Sequence, residues 1–377
     1  MSSLKEIIIE RIKKEGPITF EAFMDMALYY PELGYYTSED TTIGRHGDFY
    51  TSSHLHPVFG AMIARQLMEM WTLMGRPPVF TAVEVGAGAG YLCKDIFDYL
   101  NRPSQESAVF LQSLRYVIVE PFHHFEKRQQ KLLNEHRERL AWVKSLNDLS
   151  NVTGCVLSNE LLDAFPVRLV EMEDELKEIY VNFDGKQFVE EKREISSGGI
   201  TEYIDEFRIK LPQGCKTEIN LQIREWLREA ASVLSSGFIL TIDYGYSTGE
   251  YYDSERTNGT LLCYHEHLFN ENPFRNVGEQ DITAHVNFSS LKKWGEGLGL
   301  KTIGYCPQGT FLTAAGIDEV ITELCAGSKD YLSEISKIKG LIMPHGMGAS
   351  HNFMVQYKGK GSPQIRGFSI RDLAGSL

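Results

Sequence analysis

The stretch Val83-Glu84-Val85-Gly86-Ala87-Gly88-Ala89-Gly90 constrains this 377-residue chain more than any other. An apolar run of strand character, Val79 to Val85, passes into glycines at alternate positions, and the helical pattern Leu92, Ile96, Phe97, Leu100 follows at once. Glycine lets a backbone turn sharply and come close to a ligand, and the helix behind it presents free N–H groups. Such a unit belongs to a doubly wound sheet, and the chain repeats the alternation. Arg115 to Glu120, Cys155 to Ser158 and Phe238 to Asp243 are short apolar runs, with helical patterns such as Phe125 to Arg137 between them. The fold class predicted is therefore α/β, a Rossmann-like parallel sheet covered by helices on both faces. A dinucleotide fingerprint would need a third glycine where Tyr91 stands, which disfavours a dinucleotide-dependent oxidoreductase.

Around this core three further regions are expected. Leu4, Ile7, Ile8 and Ile12 recur at helical spacing, and Thr19 caps a second run through Phe20, Phe23, Met24 and Leu28. A third helix carries the stripe Phe59, Met62, Ile63, Leu67, Met70, Trp71. Residues 1–75 thus read as an N-terminal helical cap, and 76–358 as the sheet domain. Within the latter, 167–235 reads as an insertion: alternating strands at Arg168 to Phe183 and Gln187 to Ile195, then a helix through Ile219, Ile223, Trp226, Leu227, Ala230, Val233 and Leu234. The segment 359–377 begins rich in Gly and Ser and is expected to fray.

Composition removes several classes. The formal net charge is −13, without the basic excess that a duplex-binding surface needs, so nucleic acid is not expected as a partner. Six cysteines lie far apart with no CxxC pair, the pattern of reduced, buried thiols, and no metal is expected. His265-Glu266-His267 has the spacing of a metal pair but lacks an obvious third ligand. No run approaches the ~18 apolar residues of a membrane span, so membrane insertion is not expected. The mixed-charge, amphipathic N-terminus, with Glu6 and Glu10 in it, fits neither a secretory signal nor a transit peptide. A cytoplasmic location is the expectation, or the mitochondrial matrix if a transit peptide has been removed.

Each candidate site residue has a plainer alternative. The glycine turn serves a cofactor or is only a tight turn. Glu120, at the tip of the strand after it, can accept both hydroxyls of a ribose or is merely a solvated strand end. Asn159, Glu160 and Asp163, in Ser158-Asn159-Glu160-Leu161-Leu162-Asp163-Ala164-Phe165-Pro166, follow another strand on the ligand side, or cap a helix. Gly44 to Ser53 is a lid or a connector; Gly47, Asp48, Thr51 and Ser52 are its candidate cofactor contacts. His285 reads as structural or substrate-lining.

Taken in order, Gly44-Arg45-His46-Gly47-Asp48-Phe49, Glu84 to Gly90, Asn159-Glu160-Leu161-Leu162-Asp163-Ala164-Phe165-Pro166, Asp243-Tyr244-Gly245 and Asp281 to Phe288 resemble the MidA family. That family includes the mitochondrial complex I assembly-factor arginine methyltransferases, and the resemblance spans roughly residues 20 to 316. It implies a class I fold with S-adenosylmethionine as methyl donor, bound by Glu84, Gly86, Gly88, Gly90, Glu120 and Asn159. It also implies a protein arginine as acceptor, on a complex I core subunit or a bacterial counterpart. Transfer to a guanidinium rests on positioning and charge, since that group is protonated and delocalised in water. Glu160 and Asp163 are the candidate carboxylate clamp, and one of them or His285 is expected to take the released proton. A non-catalytic assembly chaperone is the alternative; a homodimer is left open.

Overall fold

The computed structural model describes residues 3–39, 52–266 and 268–377. The chain divides into two compact units, one of Tyr50–Leu161, Trp226–Gly245 and Leu291–Leu377, the other of Met1–Phe49, Leu162–Glu225 and Tyr246–Ser290.

The first unit contains the anticipated sheet. Its strands are β1 (Phe80–Val85), β2 (Leu114–Val119), β3 (Leu140–Val143), β4 (Val152–Asn159), β5 (Leu234–Tyr246), β6 (Lys301–Pro307) and β7 (His351–Lys358). They lie in the order β6-β7-β5-β4-β1-β2-β3. β1 to β5 pair in parallel, while β7 runs antiparallel to both β5 and β6. From β1 the chain moves to one side through β2 and β3, then returns to the other side of β1 with β4. That reversal is a topological switch point, and it opens a crevice beyond the carboxyl ends of β1 and β4.

Three helices of this unit matter for the site: α1 (Val58–Leu73), α2 (Tyr91–Leu100) and α3 (His123–Leu132). The sequence reading put α1 in a cap ending at residue 75, yet it belongs to the sheet unit. Val58, Phe59, Ala61, Met62, Ile63, Ala64, Leu67, Met70 and Trp71 are all buried in that unit's core. A helical stripe reveals a buried face, not which core covers it, so the boundary was set too late. The segment expected to fray is also packed. Ile365 and Phe368 join the same core, Phe368 lies edge-on to Phe311 with ring centroids 5.2 Å apart, and Arg366 N donates to Glu69 Oε1 at 2.8 Å. Only the first few residues after Gly359 are glycine- and serine-rich; the apolar residues behind them decide the outcome.

In the second unit, the helices Leu4–Glu15 and Phe20–Tyr29 share a core with an antiparallel sheet. Its strands run in the order Ile18–Thr19, Leu176–Phe183, Arg168–Met172, Lys216–Ile219, with Phe188–Arg193 also paired to Leu176–Phe183. Ile8, Phe20, Phe23 and Leu28 pack there with Leu169, Ile179, Val181 and Phe188. The supposed cap and the supposed insertion are therefore one folding unit, joined by pairs such as Ile18 with Val181 that no local pattern announces. Ile219 ends a strand rather than beginning the helix, which covers Gln222–Val233. A small sheet of Leu262–His265, Leu268–Asn270 and Asp281–Thr283 completes this unit. Among the described residues no helix is long and apolar enough to cross a membrane.

Candidate active site

The glycine turn leaves the end of β1 and delivers the chain to α2. Gly86 and Gly88 have φ values of 73° and 52°, in the left-handed region where side chains are disfavoured. A Cβ on Gly86 would lie 2.7 Å from Leu161 Cδ1, whereas one on Gly88 would meet nothing within 4 Å. The turn is thus packed from beneath at Gly86 and open at Gly88, a cradle with the α2 N-terminus behind it.

Two acids flank this cradle. Glu84 is buried and accepts the Tyr116 hydroxyl at 2.7 Å; burial pushes its carboxyl up to about 7, against the effect of that hydrogen bond. Glu120 follows β2 and is 3% exposed. Its Oε1 accepts Phe122 N–H at 3.0 Å and its Oε2 accepts Gln129 Nε2 at 2.8 Å. Burial again raises the carboxyl, to about 7, with the Phe122 and Gln129 donors opposing it. Each Glu120 oxygen keeps a further lone pair, the arrangement that a vicinal diol satisfies.

Glu160, just past β4, is a non-glycine residue at φ 52°. Its N–H donates to Ile242 O at 2.8 Å, which holds the unusual conformation in place. Its Oε1 accepts Ser52 N–H at 3.0 Å and Asn159 Nδ2 at 3.3 Å, and lies 3.7 Å from His351 Nε2. Ser52 is fully buried, its hydroxyl donating to Gln308 Oε1 at 3.1 Å, so it supports Glu160. Gly47, Asp48 and Thr51 lie outside the described residues. His351 and Gln129 were missed in the sequence. His351 opens a strand in a region without a motif. Gln129 had a signal, a polar residue four positions after Phe125 on a buried helical face.

In the second unit, Asp163 sits in the short turn Leu162–Ala164 and is 5% exposed. No helix of several turns follows it, so it does not cap one. Its carbonyl accepts Ala284 N–H at 2.9 Å, which brings it beside the segment bearing His285. The His285 ring stacks on Tyr246 with centroids 5.1 Å apart, and the His285 backbone N–H donates to Thr260 Oγ1 at 3.0 Å. Nearby, Tyr29 and Tyr36 stack at 5.5 Å, and the Tyr36 hydroxyl donates to Asp281 Oδ1 at 2.9 Å. Burial, with Asp281 and Asp163 close by, keeps both phenols un-ionised.

His267 lies outside the described residues, and His265 Nδ1 bonds the Glu279 carbonyl at 2.7 Å. Among the described residues, His56, Cys325 and Glu334 place metal-ligand atoms within 4.8 Å of one another. His56 Nδ1 already accepts Val58 N–H at 3.1 Å. A neutral ring then carries its proton on Nε2 and has no lone pair there for a metal. Burial also raises the Cys325 thiol, which disfavours the thiolate that a metal would need.

An open glycine cradle, a buried carboxylate at the next strand tip and a switch point between β1 and β4 define a nucleoside-binding α/β protein of the class I methyltransferase type. Residues 62–306 match the family described as "Putative S-adenosyl-L-methionine-dependent methyltransferase", and the chain belongs to it. A crystal structure of a protein from Burkholderia thailandensis bound to S-adenosyl-homocysteine superposes with a TM-score of 0.89 at 28% identity, covering 99% of this chain and 96% of that one. "Protein arginine methyltransferase NDUFAF7 homolog, mitochondrial" of Drosophila melanogaster is 26% identical over 95% of this chain and 85% of its own. "Protein arginine methyltransferase NDUFAF7, mitochondrial" of Homo sapiens is 25% identical over 92% of this chain and 81% of its own. The family resemblance carried by the motifs and the α/β fold both hold.

Proposed function

We propose that this chain methylates arginine on a protein substrate, with S-adenosylmethionine held by Gly86, Gly88, Gly90, Glu120 and Asn159 at the carboxyl ends of β1, β2 and β4. One observation carries the reading: an open Gly88 cradle beside a buried carboxylate with one spare lone pair per oxygen. Glu120 would take the ribose hydroxyls and the turn would lie under the methionine part; Glu84, bonded to Tyr116, supports the turn from below. When bound, the cofactor supplies an electrophilic methyl group on a sulfonium. The names of the relatives support a protein arginine as acceptor.

The acceptor side rests on this chain's own acids. Carboxylates that pair with two nitrogens of a guanidinium orient the third and keep the charge on the far side. Glu160 and Asp163 are each proposed as a carboxylate partner of the guanidinium. Glu160 takes the released proton in this reading, with His351 3.7 Å behind it; Asp163 and His285 are the other candidates. The motif resemblance points to a complex I core subunit or a bacterial counterpart as partner, in the mitochondrial matrix or a bacterial cytoplasm respectively, with a homodimer the proposed assembly.

The test is incorporation of labelled methyl from S-adenosylmethionine into extract of cells lacking this protein, followed by mapping of the labelled residue. Label on an arginine of a protein supports the reading; cofactor binding without transfer favours an assembly chaperone. Glu160→Gln and Asp163→Asn should each lose most methyl transfer while keeping S-adenosylhomocysteine affinity. Near-normal transfer with a lowered thermal midpoint would return both to structural roles.

A further inference from the structure

We propose that Gln129 is the positioning residue of the cofactor site, joining the glycine turn to Glu120 so that the carboxylate presents its spare lone pairs to the ribose. The inference rests on the reading of Glu120 given above.

Gln129 lies on α3 and is completely buried. Its Nε2 donates to Gly88 O at 2.8 Å and to Glu120 Oε2 at 2.8 Å, while its Oε1 accepts Trp142 Nε1 at 2.9 Å. An indole N–H can only donate, so Trp142 on β3 fixes which end of the amide is oxygen. The two amide hydrogens must then point at the turn carbonyl and the carboxylate. A flipped amide would set its oxygen against two acceptors and its NH2 against a donor. The side chain also touches the turn directly, since a Cβ on Gly90 would lie 3.3 Å from Gln129 Cγ.

A buried amide is costly unless satisfied, and an apolar residue would pack that helix face more cheaply. What glutamine adds is a fixed relation between two loops that follow different strands. With Phe122 N–H on Oε1 and Gln129 on Oε2, the carboxylate plane is set before any ligand arrives. The other charges acting on Glu120 are Lys144, whose Nζ lies 3.3 Å from the Glu120 carbonyl, Glu126 on α3, and Glu84 on β1. Gln129 is one of the donors that hold the Glu120 carboxyl below where burial alone would put it.

The experiment measures S-adenosylhomocysteine affinity of the full chain by calorimetry across neutral pH, with thermal midpoints as a folding control. Gln129→Leu should weaken binding by ~10- to 100-fold and shift the acid limb of the affinity profile to higher pH. Trp142→Phe, which removes only the orienting donor, should shift affinity in the same direction by a few-fold, and serves if Gln129→Leu does not fold. Gln129→Glu should bind more weakly than wild type at neutral pH, where it sets a second acceptor against the Gly88 carbonyl and Glu120. Wild-type affinity in Gln129→Leu, or weaker binding with an unmoved acid limb, would overturn the inference. Glu120→Ala separates the two readings. If it binds normally, the ribose assignment fails; if it loses binding while Gln129→Leu keeps it, only the role of Gln129 fails.

Discussion

At Glu120, burial and hydrogen bonding act in opposite directions, and burial dominates, leaving the carboxyl at about 7. Below that pH the group is largely protonated and offers fewer acceptors to a diol; above it the carboxylate can take both hydroxyls. Hydroxyl donors favour the charged form, so binding lowers the pKa. Affinity for S-adenosylhomocysteine should therefore rise as pH increases through 7, with protons released on binding. Calorimetry near pH 7 in two buffers of different ionisation enthalpy gives the proton count; zero would mean that no carboxyl near 7 meets the ligand. Gly88, two residues after Gly86 in the same turn, allows a steric test. At φ 52° a branched side chain is strained, and its Cβ would enter the open cradle. Gly88→Val should abolish affinity, at a cost in stability of ~1–2 kcal/mol from the left-handed backbone. Unchanged affinity would remove Gly88 from the site.

Among the elements, β1, β2, β4 and β5 were legible because a parallel sheet covered on both faces needs continuous apolar runs. β6 and β7 were not. They enter antiparallel at one edge, from a region whose patterning is less regular, and they bring His351 with them. The glycine turn and the strand tips at Glu120 and Asn159 were readable because local backbone chemistry specifies them. The role of Gln129 was not, because the turn carbonyl it meets lies 41 positions away; Ser52 was named as a cofactor contact, but nothing local announced its bond to Glu160, 108 positions on. The helix α1 was misassigned because amphipathicity shows that a face is buried without naming its partner, and the C-terminal segment because its first residues are glycine- and serine-rich while the apolar ones lie behind them. Phe368 gives that segment a measurable weight. Its ring packs on Phe311 and crowds Gly304, where a Cβ would lie 2.0 Å from it. Phe368→Ala should cost ~3 kcal/mol, read as a lowered denaturant midpoint. A change under ~0.5 kcal/mol, the range of ordinary surface substitutions, would restore the picture of a frayed tail.

Over the whole molecule, the two units ask different things of their sequences. The sheet unit carries the local signatures of a cofactor site, while the other is assembled from segments far apart in the chain, Ile18 beside Val181 and Asp163 beside Ala284. Glu160 connects stability to activity. Its left-handed backbone would be relaxed most fully by glycine, while its carboxylate is the group proposed to serve the acceptor. Glu160→Gly and Glu160→Ala both lose the carboxylate, so their difference isolates the backbone, and glycine should be the more stable by ~1 kcal/mol. Equal thermal midpoints would mean that the conformation carries no strain. Across a library of all substitutions, glycine would then rank near the top at position 160 for cellular abundance and near the bottom for growth that depends on methylation. Such disagreement between the two rankings, scanned along the chain, would trace the working surface of the enzyme with no ligand in hand.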